Sequence, residues 1–232
     1  MTPLSHLDSG RCNAVLFDLD GTLVDTAPDM VAVLQDMQRA HNVVPVDYEL
    51  GRAYVSNGAL GLLSLGFPDT EHAVGSVLHR DYLERYALRV CEASSLFTGL
   101  DGLLETLDTA GLPWGVVTNK PAHLTDPLLE GLALSARSVC AVSGDTLPQR
   151  KPNPAPLLHA CEIAGLRPQD TVYVGDSSRD IEAGRNAGMA TIAAAYGYVT
   201  PDDDPQRWGA DLIAADTAEL TQMLLKAVNL DA

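Results

Sequence analysis

Two aspartates two positions apart, Asp18 and Asp20, follow the apolar run Ala14-Val15-Leu16-Phe17 and precede Gly21-Thr22. One carboxylate of such a pair can attack an electrophile while the other moves a proton to or from the leaving group. Three more polar clusters lie downstream: Thr118 with Asn119, Lys151, and Asp176 with Asp180. Together they hold what phosphoryl transfer requires. A carboxylate attacking a phosphate dianion needs positive charge nearby, and a lysine and a divalent cation supply it. Magnesium prefers hard oxygen ligands, which carboxylates, a backbone carbonyl and water provide. On this reading Asp18 is the nucleophile. Asp20 protonates the leaving alkoxide and later deprotonates the attacking water. Thr118 and the Asn119 backbone hydrogen-bond the phosphoryl oxygens, and Lys151 adds charge. Asp176 ligates the metal, and Asp180, one helical turn later on the same face, supports it.

These residues are far apart in sequence, so the elements between them must bring them together. Residues 14–17 read as a buried strand running into a tight turn. Residues 28–95 read as helical with no strand signal, broken at Asn57-Gly58 and Gly66-Phe67-Pro68, with a long helix over 70–90. From about 100 onward helices and apolar strands alternate. The spacing predicts strands at 114–117, 138–142, 171–174, 190–195 and 211–214, and helices at 100–110, 122–131, 154–164, 178–187 and 217–228. Strands alternating with helices mean right-handed βαβ units on a parallel sheet, an α/β class. The core is then built from residues 1–27 and 96–232, with residues 28–95 inserted as an all-helical unit. Each polar cluster falls at or near the carboxyl end of an expected strand. In an open α/β sheet that edge binds ligands.

Composition narrows the function. The chain has 232 residues, 31 acidic and 15 basic, for a net charge of −16. That field disfavours nucleic acid and anionic membrane as partners and leaves a small molecule as the expected ligand. An anionic substrate then needs a locally positive site. Cys12, Cys91, Cys140 and Cys161 form no CxxC pair and no disulfide framework, so they read as reduced thiols. Residues 1–13 lack the apolar core of a signal peptide, and no apolar run is long enough to span a membrane, so a cytoplasmic location is expected. Oligomeric state is left at monomer or homodimer. Read from its residues, Asn57-Gly58 is a helix-breaking turn. Arg52, Arg80, Arg85 and Arg89 bind a substrate carboxylate or sit on the surface. His72 and His79 share one helical face, seven apart, and read as solvated or core-packed side chains rather than metal ligands.

Asp18-Leu19-Asp20-Gly21-Thr22, Val117-Thr118-Asn119, Lys151-Pro152 and Gly175-Asp176-Ser177-Ser178-Arg179-Asp180 resemble the four ordered motifs of the haloacid dehalogenase superfamily. The resemblance covers the whole chain. It implies a Rossmann-like core with a helical C1 cap at residues 28–95 and Mg2+ as cofactor. It also implies metal ligation by Asp18, Asp176 and the Asp20 backbone carbonyl. Dehalogenating and phosphonate-cleaving branches lack a second aspartate at the position of Asp20. Mutases of the β-phosphoglucomutase type keep it, so a phosphosugar mutase stays open beside a phosphatase, as does a silent binding protein on the same fold. Asp18 to Pro28 and Thr118-Asn119-Lys120-Pro121 are similar to phosphoglycolate phosphatases, in which a loop like Asn57-Gly58 lies near the substrate. Leu83 to Tyr86, Trp114 to Pro121 and Tyr196 through Asp211 are similar to N-acetylmuramic acid 6-phosphate phosphatases. Both groups act on a phosphate ester that also carries a carboxylate.

Overall fold

The structure, a computed structural model, describes residues 12–230. The expectation for residues 1–13 therefore lies almost wholly outside the described residues. A six-stranded sheet forms the centre, with strands β1 (Ala14–Phe17), β4 (Trp114–Val117), β5 (Ala141–Val142), β6 (Thr171–Gly175), β7 (Ala190–Ala194) and β8 (Leu212–Ala214). Their order is β5-β4-β1-β6-β7-β8, and every pairing is parallel. All residues of β1, β4, β6 and β7 are buried, as expected of strands covered on both faces. Strand order reverses beside β1, since the chain builds outward to β5 and then returns to β6. The crevice at the carboxyl ends there is the expected ligand site.

Helices cover both faces. Leu100, Leu103, Leu104 and Leu107 of α5 (Leu100–Thr109) pack in the largest core cluster with Leu128 and Leu129 of α6 (Ala122–Gly131) and Leu220 and Leu224 of α9 (Thr217–Ala227). The opposite face is covered by Leu157, Ala160 and Cys161 of α7 (Ala155–Ala164) and Ala183 of α8 (Ser178–Asn186). Their spacing of three and four puts each apolar set on one helical face. Among the described residues no helix is long and apolar enough to cross a membrane.

Between β1 and β4 lie α1 (Ala27–Ala40), α2 (Tyr48–Ala53), α3 (Gly58–Gly66) and α4 (Val77–Ala87). They enclose their own cluster, in which Met30, Leu34 and Met37 meet Leu62, Leu63, Tyr82 and Tyr86. Leu124 and Tyr198, from the sheet-bearing part of the chain, join it. The buried carboxylate of Asp29 accepts from Ala93 N, Ser94 N and Ser94 Oγ at 2.6–2.9 Å. That contact pins the exit of the helical segment to its entrance.

The structure departs from the sequence pattern in three places. A two-stranded antiparallel ribbon, β2 (Val24–Asp25) with β3 (Ser95–Leu96), stands where no strand was expected. Two-residue strands are too short to show a period. The helix expected over 70–90 is only α4, because Gly75 takes φ +79° and the Ser76 hydroxyl accepts from His79 N as a cap. His72 is therefore not on a shared helical face with His79. The strand expected over 138–142 narrows to Ala141–Val142.

Candidate active site

Loops from four strands meet at the carboxyl edge. Asp18 directly follows β1, and its N–H donates to Val174 O of β6 at 2.8 Å. The chain then folds back on itself: Leu23 N and Val24 N both reach Leu19 O, and Gly21 N reaches Val24 O. Gly21 has φ +83°, and a Cβ there would lie 2.0 Å from Asp176 Oδ2. Only glycine meets both demands, the left-handed backbone and the close approach.

Lys151 is the hub. Its Nζ lies 2.8 Å from Asp18 Oδ1 and 2.7 Å from Asp180 Oδ1, with 1% of its side chain exposed. It also donates to Val117 O at 2.9 Å and Tyr173 OH at 2.8 Å. The loop carrying it is fixed by a reciprocal pair. Asn119 Nδ2 donates to Lys151 O, and Lys151 N donates to Asn119 Oδ1, both at 3.0 Å. The Asn119 side chain is thus spent on holding Lys151, which leaves only its backbone to face a ligand. Thr118 is buried, and its Oγ1 accepts from Lys120 N.

Asp18, Asp176 and Asp180 each offer one oxygen, and these oxygens lie within 4.8 Å of one another. Asp18 Oδ1 and Asp176 Oδ1 are buried with no hydrogen-bond partner among the described residues, although the Lys151 ammonium stands beside the former. Crowded hard donors with unspent lone pairs fit a divalent cation. Protonation states reflect the crowding. Burial pushes the Asp18 carboxyl up to about 6, against the pull of Lys151. Burial also drives Asp176 well above the usual carboxylate range, and the charges of Asp18 and Asp180 add to it. Burial acts the same way on Asp180, but Lys151, Ser177 and Arg179 together overcome it and hold that carboxyl low. Lys151 stays cationic because Asp18 and Asp180 outweigh its desolvation.

A cavity of about 380 Å3 opens over this centre. Asp18, Asp20, Thr118, Asn119 and Lys151 line its floor, and Met30, Ser56, Asn57, Gly58, His79, Tyr82 and Tyr86 of the helical segment line its roof. The structure thus places Asp18, Asp20, Thr118, Asn119, Lys151, Asn57 and Gly58 along the cavity, with Asp176 and Asp180 clustered against Asp18. It also adds residues that patterning does not single out. Ser56 Oγ donates to Asp176 Oδ2 at 2.5 Å, Tyr198 N donates to the same oxygen at 2.9 Å, and Arg179 donates to Ser56 O. Lys120 bridges Asp20 and Tyr86. These contacts link positions up to 123 residues apart, so no local signal could carry them. None of the four arginines considered from sequence lines the cavity. Arg52 pairs with Asp25 at 2.6 Å and lies over Tyr198; Arg80 bonds Gly75 O, Arg85 pairs with Asp81, and Arg89 pairs with Asp36 and Glu92.

A parallel sheet with carboxylates and a buried lysine at its switch point defines an α/β protein whose ligand site is the carboxyl edge. A family model described as haloacid dehalogenase-like hydrolase matches residues 15–194, and the chain belongs to that family. It is 42% identical over 224 residues to the N-acetylmuramic acid 6-phosphate phosphatase of Pseudomonas aeruginosa, covering 94% of this chain and 97% of the relative. It is 42% identical over 199 residues to a phosphoglycolate phosphatase of Xylella fastidiosa, covering 86% and 87%. A crystal structure described as a predicted phosphoglycolate phosphatase from Haemophilus somnus superposes with a TM-score of 0.80 at 28% identity, covering 92% of this chain and 98% of that one.

Proposed function

We propose that the chain is a Mg2+-dependent phosphomonoesterase for a small phosphorylated organic acid, with N-acetylmuramic acid 6-phosphate the favoured substrate. The observation that carries the reading is the convergence of Asp18, Lys151, Asp176 and Asp180 beneath a cavity that also holds Asp20. Asp18 attacks phosphorus while the bond to the leaving oxygen breaks, and Asp20 gives that oxygen a proton. A water that Asp20 then deprotonates attacks the aspartyl-phosphate, and its P–O bond to Asp18 breaks to release phosphate. Lys151 neutralises charge on the transferring group, and Thr118 and the Asn119 backbone hold its oxygens. When bound by Asp18, Asp176 and the Asp20 carbonyl, magnesium supplies further charge neutralisation. Asp180 fixes Lys151. Residues 28–95 act as a cap that sets substrate choice and excludes water, and Asn57 and Gly58 belong to its substrate-facing loop.

Two features support a large acidic leaving group. A cavity of about 380 Å3 is far roomier than a two-carbon acid needs and suits a hexose-sized group. Of the basic side chains lining it, Lys120, Lys151 and Arg179 are engaged, whereas that of Arg150 has no hydrogen bond or ion pair among the described residues. It is available to a substrate carboxylate. In a kinetic screen, kcat/KM for N-acetylmuramic acid 6-phosphate should exceed that for N-acetylglucosamine 6-phosphate, which lacks the lactyl acid, by about 10–100-fold. Equal values, or a preference for phosphoglycolate over both, would sink the substrate assignment.

The metal assignment has its own test. Magnesium at about 100 times its dissociation constant should stabilise the fold by about 2.7 kcal/mol, read as a rise in melting temperature. Asp176→Asn should abolish that rise. A rise of equal size in the variant overturns Asp176 as a ligand.

A further inference from the structure

Both hydrogen bonds to the Asp20 carboxylate fall on one oxygen. Thr26 Oγ1 donates to Oδ1 at 2.6 Å and Lys120 Nζ donates to it at 2.8 Å. The carboxylate borders the cavity and is 16% exposed, so its second oxygen is left for a ligand. Two donors on a single oxygen set the rotation of the group as well as its position.

Lys120 is not a solvated surface charge. Its side chain is 5% exposed, and its second hydrogen bond goes to Tyr86 OH at 2.8 Å. The ammonium also lies 4.6 Å from the Tyr86 ring centroid. Tyr86 belongs to α4, in the helical layer, whereas Lys120 and Asp20 belong to the loops of the sheet. Tyr86 is itself held: it packs against Tyr82, whose hydroxyl donates to Met30 O of α1 at 2.9 Å. The chain Tyr86–Lys120–Asp20 therefore crosses from the helical layer to the sheet edge and ends on Asp20 Oδ1, the oxygen that also accepts from Thr26.

We infer that Lys120 is a positioning residue for Asp20, and that Tyr86 makes this positioning depend on α4 being seated over the sheet edge. The inference rests on the phosphatase reading above, with Asp20 as proton donor to the leaving oxygen. Its consequence is that leaving-group protonation is best aligned only while the cavity is roofed. A substrate is then cleaved efficiently when enclosed. With α4 lifted, Lys120 loses a partner and Asp20 loses rotational restraint.

The test separates positioning of a proton donor from general structural damage. Two substrates are compared in magnesium buffer: p-nitrophenyl phosphate, whose phenolate leaves readily without a proton, and a hexose 6-phosphate, whose alkoxide needs one. Lys120→Met should lower kcat for the hexose phosphate by about 10²-fold, as expected when a general acid is misplaced. The loss on p-nitrophenyl phosphate should be about tenfold smaller, because less proton transfer is at stake. Tyr86→Phe, which removes one oxygen and keeps the ring, should shift kcat in the same sense by about 3–10-fold with KM little changed. In an Asp20→Asn background both substitutions should lose their effect, the signature of residues acting through Asp20. Lys120→Arg should recover part of the loss. Equal losses on both substrates, or losses that add to that of Asp20→Asn, overturn the inference. If Lys120→Met does not fold, Tyr86→Phe carries the same comparison. Wild-type protein that cleaves neither substrate overturns the phosphatase reading, and this inference with it.

Discussion

Asp18→Asn should reduce kcat by at least about 10⁴-fold, a loss of roughly 5.5 kcal/mol of transition-state stabilisation at about 1.4 kcal/mol per decade. The substitution preserves shape and exchanges a carboxylate for an amide oxygen, which is a poor nucleophile. The expectation is this large because the other groups at the site stabilise a transfer that begins at Asp18 and cannot supply a substitute attacker at the end of β1. Asp20 is two residues on, held by Thr26 and Lys120. Asp180 is committed to Lys151 at 2.7 Å. The fold should survive, since Asp18 is one of three carboxylates crowded within 4.8 Å and removing its charge relieves repulsion. The checks are turnover of p-nitrophenyl phosphate with magnesium, a melting curve, and quenched-flow trapping of phosphoenzyme. The wild type should yield an acid-stable, hydroxylamine-labile phosphoprotein and the variant none. A variant that turns over within about tenfold of wild type would falsify the nucleophile assignment.

Much of this site is legible in sequence because most of its parts directly follow a buried strand; Lys151, in a loop well past the half-exposed β5, is the exception. A run such as Ala14–Phe17 cannot stop being apolar without leaving the core, so the first carboxylate after it marks the sheet edge. The same reasoning reaches Thr118 after β4 and Asp176 after β6. Nothing in those runs tells how the loops pack on one another. The bond from Lys120 to Asp20 spans 100 residues, and that from Ser56 to Asp176 spans 120. Such contacts follow from helix orientation, which periodicity does not encode. Asn119 shows a subtler gap. The sequence assigns its backbone to the phosphoryl group and is silent on its side chain, which fastens Lys151. Short elements fail for a different reason. The ribbon of Val24–Asp25 with Ser95–Leu96 holds together through pairing across the whole inserted helical segment. No window of sequence contains both halves.

The fastening of Lys151 by so many groups leads to the second large effect. Lys151→Met keeps the length and apolar stem of the side chain and deletes a charge that is 1% exposed. The cost arises from what is left behind. Asp18 and Asp180 lose a cation at 2.8 and 2.7 Å, and Val117 O and Tyr173 OH lose a donor. Breaking one side of a buried ion pair costs about 3–5 kcal/mol, and in a chain of this size about 1 kcal/mol lowers the melting temperature by about 2–4 °C. The variant should therefore melt about 6–20 °C below wild type at neutral pH. Activity should fall by about 10³-fold, because the transferring phosphoryl group loses its fixed cation. The pH dependence gives the sign that distinguishes electrostatics from packing. Without Lys151 the Asp18 carboxyl, already raised to about 6 in the intact site, rises further. Asp180 loses the influence that holds it low. Groups whose folded-state pKa lies above the unfolded value contribute stability below the unfolded value and lose it as pH rises through the folded one. The gap in melting temperature between variant and wild type should thus narrow as pH falls from about 8 to about 5. A gap that stays constant over that range assigns the loss to packing. A variant melting within about 2 °C of wild type shows that Lys151 is not needed to hold the carboxylates together.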